Sequence, residues 1–209
     1  MITVVQLDLP PPSEHLVEMF LKYVQDQPLD ADAKRWLDEF QGNDCNTSLH
    51  YYSRPGVLSD EFTKQLQLEY QKFFAKHTIG PVSGINRPAD DRPSCQPPHC
   101  DRGRRFGIHF YLELGGNNVS TVFYDYYSPV REQSINLKYS DVAQVRDVVF
   151  DSGTWYAFPT DWCHSVENIQ ALRCFFGIRL KQLGKETYDL DYSLDDMIRD
   201  YPELIKLYL

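Results

Sequence analysis

Apolar positions recur every three or four residues in the early part of this chain and at every second residue in much of the remainder. Residues 2 to 9 alternate well enough to predict a short strand, which Pro10, Pro11 and Pro12 end. Ser13 then reads as the N-cap of a helix whose Leu16, Val17, Phe20 and Val24 share one face. Ala31 to Phe40 predicts a short helix. Ser59 caps a longer one, in which Phe62, Leu66, Tyr70, Phe73 and Phe74 recur at helical spacing until Gly80 ends it. The first 80 residues are therefore expected to be mostly helical.

From residue 81 the texture changes. The stretch PVSGINRPADDRPSCQPP reads as a loop, and its part from 87 to 98 as the approach to a site. Arg105 to Leu114 alternates, with Phe106, Ile108, Phe110, Leu112 and Leu114 on one face and Arg105, Gly107, His109, Tyr111 and Glu113 on the other. Gly115 to Asn118 makes a turn, and Ser120–Tyr127, Asp147–Asp151, Thr154–Phe158 and Leu172–Leu180 are further strands. Ser193 caps a helix in the tail. This order predicts an α+β fold in one domain spanning 1–209: a helical buttress over 1–80, a β core over 81–181 and a helical tail over 182–209. Two strands carry a polar face, with Arg173, Phe175, Gly177 and Arg179 repeating what His109 and Tyr111 begin. Such a face looks either at solvent or into a site.

Composition narrows the function. With 21 Lys+Arg against 30 Asp+Glu the formal charge is −9, and such a field repels polyphosphate and argues against nucleic-acid binding. No apolar run approaches the roughly 18 residues of a membrane span, and the N-terminus lacks the basic start of an export signal. The five cysteines, at 45, 95, 100, 163 and 174, form an odd set without paired spacing, which predicts reduced thiols and a cytoplasmic protein.

His99-Cys100-Asp101 places an imidazole and a carboxylate two residues apart, so on extended backbone both point to one side and can share an ion. His164 offers a second imidazole, and two histidines with one carboxylate form the facial triad of non-haem Fe(II) sites. Arg173 follows His164 by nine residues, across a turn, where a guanidinium can hold a carboxylate through two hydrogen bonds or form an ordinary salt bridge. Cys95, Cys100 and Cys163 raise a rival zinc site, but Cys100 and Cys163 each adjoin a proposed ligand and so point to the opposite face. There they form either a redox pair or buried apolar thiols.

On these residues the chain resembles the Fe(II)/2-oxoglutarate-dependent dioxygenases, most nearly their prolyl-hydroxylase-like branch, over about residues 80 to 181. The resemblance implies a double-stranded β-helix (jelly-roll) core with N-terminal helices on its major sheet. It implies Fe(II) held by His99, Asp101 and His164, and 2-oxoglutarate bound by Arg173 with Tyr111 facing it. His164-Ser165-Val166 matches the family's His-x-Val run, whereas Asn168, Ala171 and Arg179 depart from its usual residues. Arg104, Arg179 and Trp162 are expected to meet a small-molecule or peptide substrate. O₂ would be consumed in hydroxylating a C–H bond while 2-oxoglutarate becomes succinate and CO₂. The alternative is a cupin-like or degenerate jelly roll that binds metal or ligand without turnover. His109 has a structural reading beside an acid–base one. Arg102, Arg104 and Arg105 form either an anion-drawing mouth or a solvated turn, and Trp155 packs either on the site or in the core.

Overall fold

The computed structural model describes residues 2–26, 46–52, 58–88, 90–101, 104–128, 135–183 and 191–209. The chain runs β1 (Val5–Leu7), α1 (Glu14–Asp26), β2 (Leu49–Tyr52), α2 (Asp60–Tyr70), β3 (His77–Arg87), β4 (Ser94–Cys100), β5 (Phe106–Leu114) and β6 (Ser120–Tyr127). It continues through β7 (Ile135–Asn136), β8 (Gln144–Val149), β9 (Trp155–Pro159), β10 (Trp162–Ile169), β11 (Arg173–Gln182), α3 (Leu194–Asp200) and β12 (Ile205–Tyr208).

These strands form a seven-stranded sheet, ordered β12-β1-β9-β5-β11-β3-β2, and a five-stranded sheet, ordered β7-β4-β10-β6-β8. Strand neighbours within both are antiparallel. Most core strands pass from one sheet to the other at each connection, which is the jelly-roll arrangement. Between the sheets lies an aromatic layer, with Tyr111, Tyr156, Phe158 and Phe175 from the larger meeting Phe123 and Val148 from the smaller.

The outer face of the larger sheet is the apolar one that alternation selects. Ile108, Phe110, Cys174, Phe176 and Ile178 pack there against Leu16 and Phe20 of α1 and Phe62 and Leu66 of α2. Both helices start where their caps dictate: the Ser13 hydroxyl accepts from the Leu16 N–H at 3.2 Å, and the Ser59 hydroxyl from the Phe62 N–H at 3.1 Å. Gly177 lets β11 approach β5, because a Cβ there would lie 2.1 Å from the Ile108 carbonyl oxygen and 3.0 Å from the His109 ring.

Several sequence expectations shift. α2 ends at Tyr70 with a short 3-10 turn over Gln71–Phe73, and Gly80 lies within β3 instead of stopping the helix. Residues 81–98, expected to be a loop, supply most of β3 and β4. β4 is buried throughout, so it shows no alternation, and its prolines read as breakers. A register shift in β5 turns Leu114 into the inter-sheet cluster, away from the helix-facing row to which strict alternation assigns it. The tail adds β12 to β1 after its helix, which Ser193 caps as expected. Cys95 is disulfide-bonded, whereas Cys100, Cys163 and Cys174 are free thiols, so the expectation of uniformly reduced cysteines fails at that position. The expected helix Ala31–Phe40 lies outside the described residues. Among the described residues no helix is long and apolar enough to cross a membrane.

The Gly177 contact yields a stability prediction. Gly177→Ala should cost about 3 kcal/mol or more in urea unfolding, because the clash is with backbone and not with a flexible side chain. Leu68→Ala, at a position 77% exposed, should stay within about 0.5 kcal/mol of the parent. Equal midpoints for the two variants would rule out so close a β5–β11 approach.

Candidate metal centre

The centre is built on one rung between β4 and β10, where His99 stands opposite His164. The next matched pair is Gln96 with Val166, so β4 spends one residue more than β10 over this interval, and Pro97 and Pro98 occupy it. Proline has no N–H to give a ladder, which suits both residues to a bulge. The bulge frees the Pro97 carbonyl to accept a hydrogen bond from His99 Nδ1 at 2.8 Å, and the Trp162 carbonyl takes His164 Nδ1 at 3.0 Å. Carbonyls only accept, so each Nδ1 carries the proton and each Nε2 keeps its lone pair. The two rings lie 4.4 Å apart, centroid to centroid.

Asp101 follows β4 directly and is fixed by its N–H, which donates to the Thr160 carbonyl at 2.9 Å. Its Oδ2 accepts from Arg104 Nε at 2.9 Å and Nη2 at 2.5 Å, and its Oδ1 faces His99 Nε2 at 3.6 Å. One ligand atom from each of His99, Asp101 and His164 lies within 4.8 Å of the others, and all three residues are buried. Burial disfavours the Asp101 charge, but Arg104 and the two histidines outweigh it and hold the carboxyl well below the usual range. Burial keeps the histidines neutral: His99 is lowered despite the opposing pull of Asp101, and His164, lowered further by His99, falls to about 4. Two neutral imidazoles and an ionised carboxylate are the protonation states a divalent cation requires. The Gln96 amide nitrogen lies 2.9 Å from His99 Nε2, so a metal there takes over that contact.

Beside the triad runs a narrow cavity lined by Gln96, Arg104, His109, Tyr111, Thr121, Phe158, His164, Val166, Arg173 and Phe175. Arg173, at the start of β11, is 4% exposed, and among the described residues no carboxylate pairs with it. Its guanidinium lies 4.7 Å from the Tyr111 ring centroid. His109 stacks on Phe175 at 3.9 Å and accepts at Nε2 from Arg104 Nη1 at 3.1 Å. Arg104 can only donate, so the His109 proton sits on Nδ1, a buried donor without a partner among the described residues.

The structure thus brings His99, Asp101, His164, Arg104, Tyr111 and Arg173 together, and separates two residues expected with them. Arg179 shares the Arg173 face of β11 but sits opposite Gly80, outside the cavity lining. Trp162 supplies its carbonyl to His164 while its ring packs on Tyr127 at 5.6 Å, also outside the lining. Arg104 meets the candidate ligand Asp101 where a substrate contact was expected. Arg105 pairs with Asp161 at 2.9 Å, and Arg102 is outside the described residues. Trp155 is core, donating to the Pro10 carbonyl at 3.0 Å and packing on Phe176 beneath the helices. Sequence reasoning missed Gln96, Thr121 and Phe158; the offset of Gln96 by three residues from His99 hides it, because the bulge breaks the period of two.

No protein-family model matches this chain, and no curated protein matches its sequence. Solved structures do match in fold. A prolyl-4-hydroxylase from Pseudomonas putida is 12% identical with a TM-score of 0.39, covering 85% of this chain and 92% of that one. AviO1 from Streptomyces viridochromogenes Tue57 is 11% identical with a TM-score of 0.44, covering 90% and 93%. Vicilin from Corylus avellana is 14% identical with a TM-score of 0.31, covering 69% and 31%. At these identities the likeness concerns the fold alone.

The lowered histidines generate a pH prediction. An unfolded histidine titrates near ~6.5 and folded His164 near about 4, so between those values the unfolded chain binds more protons. Metal-free protein should keep this contribution above pH ~6.5 and lose on the order of 3 kcal/mol from it as the pH falls to about 4. His99 acts in the same direction. Urea unfolding across this range in chelator should show a shallower slope for His164→Gln, and parallel slopes would exclude a buried neutral His164.

Proposed function

We propose that the protein is an Fe(II)- and 2-oxoglutarate-dependent oxygenase that hydroxylates a C–H bond of an amino acid, peptidyl residue or small metabolite. The observation that carries this reading is Arg173, a buried guanidinium without a carboxylate partner among the described residues, on the same cavity as His164. Leaving such a charge unpaired costs roughly several kcal/mol, and an anionic ligand in the cavity supplies the missing partner. His99, Asp101 and His164 would hold the iron, and their donor types and protonation fit it. Bound iron with 2-oxoglutarate and O₂ supplies the oxidation of the substrate C–H bond, with 2-oxoglutarate leaving as succinate and CO₂.

The chain's own residues position and protect. Arg104 ties up Oδ2 of Asp101 and so presents Oδ1 to the metal. Arg173 takes the far carboxylate of 2-oxoglutarate, and Tyr111 holds the guanidinium in place from the side. Phe158, Val166 and Phe175 keep water from the rest of the wall.

The test is anaerobic addition of Fe(II) and then 2-oxoglutarate to metal-free protein, watching for the visible metal-to-ligand charge-transfer band, followed by O₂ and a succinate assay. His164→Ala should abolish the band and succinate formation. Arg173→Ala should raise the 2-oxoglutarate concentration needed about a hundredfold while leaving Fe(II) binding alone, since removing one partner of a buried charge pair costs roughly 2–5 kcal/mol. Iron binding without a band would instead indicate a jelly-roll metal-binding protein without turnover, and an unchanged 2-oxoglutarate requirement in Arg173→Ala would move the anchor elsewhere.

A further inference from the structure

The rung that aims two imidazoles inward aims two thiols outward. His99 opposes His164 across β4 and β10, and alternation turns their chain neighbours Cys100 and Cys163 to the other face of the smaller sheet, where both join one buried cluster. Both are free, with exposures of 2% and 0%, and the neighbouring Cys100 thiol together with burial pushes the Cys163 thiol up. They form one cluster with Val122 and Tyr124, roofed by the half-buried Leu137, Tyr139 and Val142. They flank the last paired rung of the ladder, and pairing carried one residue further would set their Cα atoms roughly 4.5–5.5 Å apart, inside the roughly 4.4–6.8 Å that a disulfide spans. Neither thiol touches the cavity, so the proposed chemistry leaves them unused.

We propose that Cys100 and Cys163 are a redox-convertible cross-strand pair, closing to a disulfide under a peroxide and thereby weakening the metal site on the opposite face. One sulfur attacks the peroxide O–O bond, forming an S–O bond and releasing water, so that a sulfenic acid remains. The second sulfur attacks the first, the S–S bond forms, the S–O bond breaks, and a second water leaves with the remaining proton. Two thiols lose two electrons, and one hydrogen peroxide becomes two waters. Each cysteine adjoins a ligand, Cys100 next to His99 and Cys163 next to His164. Drawing their sulfurs together on the outer face levers the two Cβ atoms of the inner rung apart and spreads the imidazoles.

The coupling to the metal rests on the triad reading; the disulfide does not, and the experiment separates them. Purified full-length protein is treated with hydrogen peroxide, quenched, and examined by intact mass and by non-reducing peptide mapping. Wild type should lose the mass of two hydrogens, recovered with dithiothreitol, through a link between the Cys100 and Cys163 peptides. Cys100→Ser and Cys163→Ser should show no such loss and should form a sulfenic acid trapped by dimedone on the remaining thiol. The Cys95 disulfide is common to all samples, so differences between wild type and variants report only the pair. Wild type gaining oxygens at both cysteines, or linking either to Cys174, would overturn the pair itself. With Co(II) as probe, the linked protein should bind about tenfold more weakly than the reduced protein, the size of effect typical when a ligand's support is disturbed. Identical affinities would overturn the coupling. Absence of Co(II) binding in both states would overturn the triad and leave the mass result standing.

Discussion

One rung of antiparallel pairing, His99 opposite His164, positions the candidate metal centre of this protein. A strand's side chains alternate strictly, so once those two residues are opposed, everything beside them is assigned to a face. The imidazoles and Gln96 point between the sheets. Cys100, Cys163, Ser165 and Glu167 point outward, where Ser165 meets Tyr124 at 2.9 Å and Tyr139 meets Glu167 at 2.6 Å. A slip of one residue would exchange imidazoles for thiols at the same place. The Pro97-Pro98 bulge prevents it, because its missing N–H groups allow only one way of resuming the ladder.

Electrostatics then separates two arginines that look alike in sequence. Arg104 is neutralised by Asp101 and also donates to His109, so its charge is used inside the protein to keep a carboxylate ionised and oriented. Arg173 lies over the Tyr111 and Phe175 rings, and among the described residues no carboxylate pairs with it. Asp101, Arg104 and Arg173 together leave the cavity one positive charge in excess, and a divalent cation would raise that further. That excess suits an anionic ligand better than a neutral one.

Legibility in the sequence tracks the physics of each segment. The triad is readable because His99 and Asp101 lie two apart on extended backbone, and Arg173 because a turn returns the chain nine residues after His164. The helices α1 and α2 are readable from capping serines and apolar spacing. β3 and β4 are hidden because they are buried on both faces and carry prolines, which mimic a loop in composition. Arg179 is misplaced by sequence reasoning for a different reason. It shares a face with Arg173, but six residues along a strand is roughly 20 Å, so a common face does not bring it to a common site. The Cys95 disulfide is invisible in the sequence because pairing depends on which strands the fold brings together, not on spacing along the chain.

The division of labour between the sheets arises from these constraints. The smaller sheet supplies the two histidines from one rung, and the larger supplies His109, Tyr111, Arg173 and Phe175 from β5 and β11. These two sets meet only across the aromatic layer, so their separation is set by Phe123 and Phe158, whose rings lie 6.0 Å and 6.2 Å from His164. Gly177 fixes the other half of the geometry by holding β11 against β5, which places His109 on Phe175 and Arg173 over Tyr111. A close-packed interior transmits displacement over such contacts, so substitutions in the aromatic layer should alter the distance between the His99–Asp101–His164 cluster and Arg173 before they alter either alone.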